Sequence, residues 1–152
     1  MVYLCRMKTK ENILVSACLL GKPVRFDGKS KPHPDINKLK HCNLIPICPE
    51  MFGGLPTPRP PHELKNGKAI TVDGTDITAQ STAGANKCLE IAKTHGAKLA
   101  ILKAKSPSCG VGKIYDGTFS GTLVDGNGLT TQLLQDNGIQ VITENDIHTV
   151  LP

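Results

Sequence analysis

The sequence predicts an α/β protein with a small, open, Rossmann-like sheet of mostly parallel strands. Short apolar runs with the length and branched residues of strands buried on both faces recur along the chain. Helical patterns precede the later runs, and the alternation of strand and helix is typical of a parallel sheet. Two Asp-Gly pairs with strand-forming neighbours indicate hairpin turns. We therefore expect flanking helices and hairpin insertions around this sheet.

Four apolar runs are the predicted strands of the sheet. The first three occupy residues 13–17, 44–47 and 99–102, and each is rich in Ile, Leu, Val or Ala. The fourth, residues 139–142, lies near the end of the chain. Runs of this length are common for strands, and runs without polar alternation favour burial on both faces.

Two helices are predicted, one before the third strand and one before the fourth. In the first, apolar side chains recur at the i, i+3, i+4, i+7 spacing of an amphipathic helix, at Ala85, Cys88, Leu89 and Ala92. The second is short and carries the leucine pair 133–134. Residues typical of helix ends bound both segments: Ser81 or Thr82 and Gly96 for the first, Thr130 or Thr131 and Gly138 for the second.

Three segments between these elements are predicted to be turns or loops. The pair Asp73-Gly74 within residues 70–77 and the pair Asp116-Gly117 within residues 114–119 are both expected to form hairpin turns. Residues 53–61 contain too many prolines for a helix or a central strand. We expect that segment to be a rigid, extended loop.

The length of 152 residues is that of one ordinary domain. We expect a short N-terminal extension over residues 1–12 and a single domain over residues 13–152. No apolar run approaches the roughly 20 residues of a membrane span, and the first residues lack the apolar stretch of a signal peptide. These features predict a cytoplasmic protein with no membrane partner.

The charge pattern favours a solvated basic face over a nucleic acid site. The formal net charge is +5, and its densest part lies between Lys22 and Lys40. Only 3% of the residues are aromatic, which leaves few platforms on which the bases of a single strand could stack. RNA binding is therefore kept as an alternative function.

Three of the six cysteines lie at equivalent positions after predicted strands. Cys18 and Cys48 follow the first and second strands directly, and Cys109 lies in the loop after the third. In parallel sheets the loops at the carboxyl ends of the strands face one another and form the ligand site. One buried cysteine alone is usually a small hydrophobe, but three at equivalent strand ends predict a joint site.

The three thiols predict a metal site with an open coordination position. Thiolates select zinc, copper(I) or iron–sulfur clusters, and this trio lacks the paired spacing of most structural zinc sites. A cubane cluster that only carries electrons takes four cysteines. Three cysteines would leave one iron open to bind a substrate atom as a Lewis acid, which favours catalysis.

The other three cysteines are left out of this site. Cys88 lies on the apolar face of its predicted helix, Cys5 lies in the N-terminal extension, and Cys42 precedes its strand and so belongs at the opposite end of the sheet. In a reducing compartment a disulfide is the least expected state for any of them. Thiol redox chemistry is also disfavoured, because the sequence contains no Cys-x-x-Cys pair.

Polar residues beside the cysteines supply candidate acid–base and binding groups. Glu50, two residues after Cys48, is suited to proton transfer. Arg59, on the Pro-rich loop, is suited to bind an anion or a carbonyl oxygen. Two pairs have alternative interpretations: Arg25 and Asp27 bond to each other or face the pocket, and Ser106 and Ser108 cap a turn or touch the substrate.

Six motifs together resemble the thiouracil desulfurase family, long called domain of unknown function 523. The likeness runs from about residue 13 to residue 144, nearly the whole chain. The set is specific, whereas any one motif alone would be weak. The motifs are VSACLLG at 15–21, RFDG at 25–28, CPE at 48–50, GGLPTPRPP at 53–61, SPSCG at 106–110 and YDGTFSG at 115–121.

The resemblance implies a cytosolic desulfurase with an oxygen-sensitive [4Fe-4S] cluster. The family's cluster ligands correspond to Cys18, Cys48 and Cys109, and its catalytic residues correspond to Glu50 and Ser106. The fourth iron would take the sulfur of a thiolated pyrimidine, water would replace that sulfur on the ring, and hydrosulfide would be released later. The candidate substrate contacts, Arg25, Asp27, Arg59 and Ser108, come from residue chemistry alone and not from the resemblance.

The resemblance specifies the reaction more narrowly than it specifies the substrate. A free thiolated base, a nucleoside and a nucleotide all fit the resemblance, in 2-thio or 4-thio form, and thiolated tRNA ranks below them. One departure is Val24, which stands where many relatives carry a further cysteine. The alternative function is a non-catalytic zinc- or iron-binding module whose basic stretch contacts RNA.

Overall fold

The computed structural model describes residues 11–151. Its secondary structure consists of eight strands, three α-helices and three 3₁₀ segments within that range. The strands are β1 (Asn12–Ser16), β2 (Asn43–Ile47), β3 (His62–Lys65), β4 (Lys68–Thr71), β5 (Leu99–Leu102), β6 (Lys113–Tyr115), β7 (Leu123–Asp125) and β8 (Gln140–Thr143). The helices are α1 (Pro49–Phe52), α2 (Thr78–His95) and α3 (Leu129–Asp136), and the 3₁₀ segments are Ala17–Leu20, Pro34–Leu39 and Glu144–Val150.

The four predicted strands form one parallel sheet, in the order β2-β1-β5-β8. The register aligns Ile13 of β1 with Leu44 of β2 and with Leu99 of β5. The α/β class, the parallel sheet, the flanking helices and the hairpin insertions are all confirmed. The chain runs from β1 to β2 on one side and from β5 to β8 on the other, and this divergence opens a crevice at the carboxyl ends of β1 and β5.

Strands β1, β5 and β8 are buried on both faces, as their apolar runs predict, whereas in the edge strand β2 only Ile47 is buried. Alternate residues of a strand point to opposite faces, so Ile13 and Val15 belong to one apolar cluster and Leu14 to the other. The first cluster packs against the 3₁₀ segments through Leu39 and Ile147. The second contains the apolar side of α2 and α3, including Cys88, Ala92 and Leu134.

Both helices start earlier than the sequence predicts. Helix α2 begins at Thr78, whose backbone N–H donates to Asp76 Oδ1 at 2.9 Å, and Ser81 is a buried residue of its first turns. Helix α3 begins at Leu129, after Gly128 rather than after a threonine. The stop of α2 at left-handed Gly96 is as predicted.

The hairpins differ from the predicted ones. The antiparallel pair β3–β4 turns at Asn66-Gly67, where both residues have positive φ, 52° and 77°. An Asn-Gly pair is a strong signal for such a two-residue turn, as strong as the Asp-Gly pairs. Asp73-Gly74 does reverse the chain, yet it is followed by one isolated bridge, Ile70 to Asp76, and not by a strand.

The second Asp-Gly pair begins a longer loop than predicted. Antiparallel strands β6 and β7 flank residues 116–122, so Asp116 and Gly117 do not form a two-residue turn. Backbone N–H groups of Gly117 and Phe119 donate to Glu63 Oε1 at 3.0 and 3.1 Å, which fastens this loop to β3. These two hydrogen bonds hold the longer loop in place.

The remaining predictions on chain organisation are resolved in part. Residues 53–61 contain no helix or strand, as expected. Most of the predicted extension, including Cys5, lies outside the described residues, and its last residue, Asn12, begins β1. Within residues 11–151 no helix has the length and apolar character needed to cross a bilayer.

Candidate metal centre and active site

The three predicted cysteine ligands line one cavity of about 530 Å³ at the carboxyl ends of the central strands. Cys18 lies in the 3₁₀ segment that follows β1, and Cys48 lies between β2 and α1. Cys109 lies in the loop after β5. The parallel sheet thus brings together thiols that are 30 and 61 residues apart in the chain.

Cys18 and Cys109 are buried, and Cys48 is half-buried. The pKa of Cys18 is raised to about 11, mainly by burial; the neighbouring Cys48 contributes to the rise, and Lys103 and Arg25 oppose it. Burial likewise raises the pKa of Cys48 and, most strongly, that of Cys109. Since a metal binds the thiolate form, loading this site must release protons.

The donor set fits a cluster. Among residues 11–151 no three His, Cys, Asp or Glu side chains are arranged to hold a single metal ion. In an iron–sulfur cubane each cysteine binds a different iron, so the thiols surround the group without sharing an ion. Three cavity-lining thiols would suffice as ligands for three of the four irons.

The other described cysteines lie away from this donor set. Cys88 of α2 is fully buried in the apolar cluster with Leu14 and Leu102, as predicted. Cys42, directly before β2, is disulfide-bonded. The prediction that a disulfide is the least expected state is therefore wrong for this residue. Disulfide formation depends on proximity in space, which the spacing of cysteines in a sequence does not reveal.

Glu50 is fixed from two sides at the edge of the cavity. It lies in α1, two residues after Cys48. Arg59 Nε donates to its Oε1 at 2.8 Å, and Ser108 Oγ donates to its Oε2 at 3.1 Å. One carboxylate therefore connects the Pro-rich loop, α1 and the loop that carries Cys109.

Arg59 is nearly saturated by protein acceptors. Besides Glu50, its guanidinium donates from Nη1 to Pro56 O at 3.1 Å and Thr57 Oγ1 at 2.9 Å, and from Nη2 to Val24 O at 2.8 Å. Of its five N–H groups, four are used within the part of the chain that the structure describes. One remains to meet a ligand, so the residue is placed mainly to orient Glu50.

Ser106 lines the cavity and organises the turn that presents Cys109. Its Oγ accepts the backbone N–H groups of Ser108 and Cys109, each at 3.1 Å. These bonds use the lone pairs of the oxygen and leave its proton free to be donated into the cavity. Ser108 is buried, does not line the cavity and contacts Glu50 instead.

Arg25 and Asp27 satisfy both interpretations in part. Their side chains approach within 3.7 Å, and Asp27 Oδ1 also accepts the backbone N–H of Lys29 at 3.0 Å. Arg25 lines the cavity, whereas Asp27 does not. Asp27 is therefore placed to act through Arg25.

Helix α1 is held against α2 by direct backbone contact. A Cβ on Gly84 of α2 would lie 1.8 Å from Pro49 O, and a Cβ on Gly53 would lie 2.0 Å from Gln80 O. Only glycine permits this approach. Cys48 and Glu50 are adjacent to Pro49. The two glycines therefore set how far the Cys48 and Glu50 side chains reach into the cavity.

The loop that carries Cys109 is fastened to the first turn of α3. The backbone N–H groups of Leu129 and Thr130 donate to Pro107 O and Ser108 O at 3.0 and 2.9 Å. Thr131 Oγ1 donates to Cys109 O at 2.8 Å. The position of the thiol is thereby fixed by a helix that follows it by about twenty residues in the sequence.

Ser16 and His62 are among the site residues that were not predicted. Ser16, at the end of β1, accepts the backbone N–H of Lys103 at 2.9 Å and lies 3.8 Å from Cys109 Sγ, to which its hydroxyl donates. His62, the first residue of β3, also lines the cavity. The feature of the sequence that could have indicated His62 is its position directly after the Pro-rich loop.

A buried carboxylate supports the floor of the site. Glu144, after β8, accepts the backbone N–H of Ala104 at 2.7 Å and pairs with Lys103 Nζ at 2.8 Å. Both partners belong to the chain that leaves β5 towards Cys109. This contact joins the last strand of the sheet to the cavity.

Comparison with known proteins agrees with this geometry. A solved structure described as a [4Fe-4S]-dependent thiouracil desulfidase, TudS, matches with a TM-score of 0.88 and 45% sequence identity, over 93% of this chain and 95% of the other. The uncharacterized protein YbbK of Bacillus subtilis (strain 168) is 41% identical over 150 residues, which cover 91% of this chain and 99% of YbbK.

The family comparison covers the whole sheet and every candidate site residue. The profile described as 2-thiouracil desulfurase matches residues 13–146. That range begins in β1, includes the three cavity cysteines and extends past β8. The chain therefore belongs to the 2-thiouracil desulfurase family.

Proposed function

We propose that this protein is a [4Fe-4S]-dependent desulfurase that converts thiolated pyrimidines, such as thiouracil, to the corresponding oxo-pyrimidines. The observation that carries the proposal is the meeting of Cys18, Cys48 and Cys109 in one cavity with Glu50 fixed beside them. The family and the solved relative support the same chemistry. The overall reaction is hydrolytic: water oxygen replaces sulfur on the ring carbon, hydrosulfide leaves, and no electrons are required.

Cys18, Cys48 and Cys109 would hold the cluster. When bound, it supplies an iron without a protein ligand, a Lewis acid with affinity for the sulfur of the substrate. The cavity volume of about 530 Å³ falls in the ordinary range for small-molecule sites. Because such clusters are sensitive to oxygen, we assign the activity to the cytoplasm.

Glu50 is proposed to take the proton from the attacking water. Its two oxygens are oriented by Arg59 and Ser108, which leaves further lone pairs for a water in the cavity. Ser106 is proposed to donate its hydroxyl proton to the substrate, since its oxygen is already anchored by two backbone N–H groups. Proton transfer by such fixed groups is a general means of catalysis.

Four further residues are proposed to bind or orient the substrate. Arg25 faces the cavity and is steadied by Asp27. Arg59 retains one N–H for a carbonyl oxygen, and Ser108 acts through Glu50. Thiouracil, thiouridine and the thiouridine phosphates all present the same thiolated ring to the site, and thiolated tRNA ranks below them.

The proposal is tested by anaerobic reconstitution with iron and sulfide, followed by assays with 2- and 4-thiouracil and the corresponding uridines. We expect one hydrosulfide for each uracil or uridine formed, without added reductant. A reconstituted protein that turns over none of these compounds would contradict the proposal. Affinity for RNA that falls steeply with salt, in a protein without turnover, would favour the alternative metal-binding module.

A further inference from the structure

We propose that His62 orients the substrate, with its Nε2 hydrogen-bonded to the edge of the pyrimidine that does not carry the sulfur. The inference rests on the proposed function, because it assumes that a pyrimidine ring occupies the cavity. It adds a binding residue that is absent from the motifs discussed above. The assignment comes from the surroundings of this imidazole alone.

His62 is buried and yet incompletely bonded. Only 6% of the residue is exposed, and it lines the same cavity as the three thiols and Glu50. Its Nε2 has no hydrogen-bond partner among residues 11–151. A buried polar atom without a partner is costly, and because His62 lines the cavity, a ligand bound there that reaches Nε2 would remove this cost.

The two other unpartnered buried atoms differ from His62. They are Ser81 Oγ in α2 and Thr130 Oγ1 in α3, and neither residue lines the cavity. A hydroxyl inside a helix can rotate towards the carbonyl four residues earlier. An imidazole on a strand has no such local acceptor, and of these three residues His62 alone lines the cavity, so a ligand bound there is the partner that we expect for it.

The charge state of His62 matches a neutral heterocycle. Burial lowers the pKa of the imidazole, Arg59 lowers it further and Glu50 opposes the shift. A neutral imidazole has one N–H donor and one nitrogen acceptor. A pyrimidine such as uracil alternates ring N–H donors with carbonyl acceptors, so either tautomer of His62 finds a partner on its edge.

Position makes this contact selective. His62 follows the rigid Pro-rich loop and pairs with Thr71 across the hairpin, so its backbone is held on both sides. The thiols approach the cavity from the ends of β1, β2 and β5, whereas His62 enters from β3. A ring whose sulfur points to the thiols therefore presents another edge to the imidazole.

The test compares His62→Leu, which removes the polar atoms, with His62→Gln, whose amide nitrogen reaches the place of Nε2. His148→Leu, at an exposed position away from the cavity, is the matched control. On reconstituted protein we measure KM and kcat for 2- and 4-thiouracil and the Kd of uracil. For His62→Leu we expect KM and Kd to rise about tenfold with kcat within about twofold, the size of one lost hydrogen bond.

His62→Gln should restore most of the affinity, and the control should behave as wild type. Unchanged KM and Kd in His62→Leu would overturn the inference while leaving the desulfurase function intact. A wild-type protein that binds thiouracil through His62 but releases no uracil would support the inference and contradict the proposed function. A wild-type protein that binds neither thiouracil nor uracil would overturn both the inference and the proposed function.

A second measurement covers variants that fail to fold. In wild-type protein labelled with ¹⁵N at histidine, binding of uracil should shift the Nε2 resonance of His62 and leave that of His148 in place. Binding of uracil without a shift at His62 would overturn the inference.

Discussion

Glu50 receives one hydrogen bond at each carboxylate oxygen, from Arg59 and from Ser108. Both donors belong to loops, and both are among the buried residues of the chain. The acid is therefore held in one orientation before any substrate arrives. Single substitutions can separate its chemical role from its structural one.

Glu50→Gln keeps the shape of the side chain and removes its basicity. We expect cluster content to be unchanged and kcat to fall by about 100- to 10,000-fold, the usual contribution of a general base. Iron content and steady-state rates on the same preparation measure both effects. A kcat within tenfold of wild type would show that Glu50 does not transfer the proton.

Arg59→Met tests the buried ion pair. The Arg59 side chain is only 4% exposed and that of Glu50 14%, so removal of the cation leaves a carboxylate shielded and unpaired. We expect the free energy of unfolding to fall by about 3 kcal/mol. Urea denaturation measures this, with Lys38→Met as the control because its pair with Asp35 is exposed and worth less than about 1 kcal/mol. Equal losses of unfolding free energy in Arg59→Met and Lys38→Met would contradict this interpretation of the buried ion pair.

The lowered pKa of His62 predicts a dependence of stability on pH. Burial keeps the folded pKa below the unfolded value of 6.5, so the unfolded chain binds the proton first as pH falls. Wild-type protein should therefore lose stability below about pH 6.5, and His62→Gln should lose less over the same range. Urea midpoints at a series of pH values measure the difference. Parallel curves for the two proteins would contradict it.

At the scale of elements, the short helix α1 depends on a glycine in its neighbour. An alanine inside a helix is normally more stable than glycine by about 1 kcal/mol. At position 84 the new Cβ would lie 1.8 Å from Pro49 O, so α1 has to move. The site residues on either side of Pro49 would move with it.

We therefore expect Gly84→Ala to lower the free energy of unfolding by about 1–3 kcal/mol and to reduce kcat more than tenfold. Thr82→Ala, at an exposed position of the same helix, should change stability by no more than about 0.5 kcal/mol. Denaturation and turnover measured on both variants test this. A stabilised, fully active Gly84→Ala protein would refute the proposed packing.

Secondary structure was predictable where local rules agreed with burial. The four core strands and the end of α2 at Gly96 followed from apolar runs and glycine chemistry. The starts of the helices were missed because Asp76 and Gly128, not the expected residues, precede them. The Asn66-Gly67 hairpin was overlooked, although its turn chemistry is as clear as that of the Asp-Gly pairs.

At the scale of the whole molecule, parallel topology collects the site from distant parts of the chain. The strand-end rule was enough to group Cys18, Cys48 and Cys109 from sequence. That rule could not predict the hydrogen bonds that orient the site. Ser108 and Glu50 are 58 residues apart in the sequence, and Ser16 and Cys109 are 93 residues apart. No local pattern encodes such pairs, because they depend on how loops meet in space.

The most direct test of the three-cysteine centre is the iron and acid-labile sulfide content of anaerobically reconstituted protein. Wild type and Cys88→Ala, which alters a core cysteine outside the cavity, should each hold about four irons and four sulfides per chain. Single serine variants of Cys18, Cys48 and Cys109 should each lose the cluster. A full cluster in any of those three variants, or zinc in place of iron in wild type, would contradict the account.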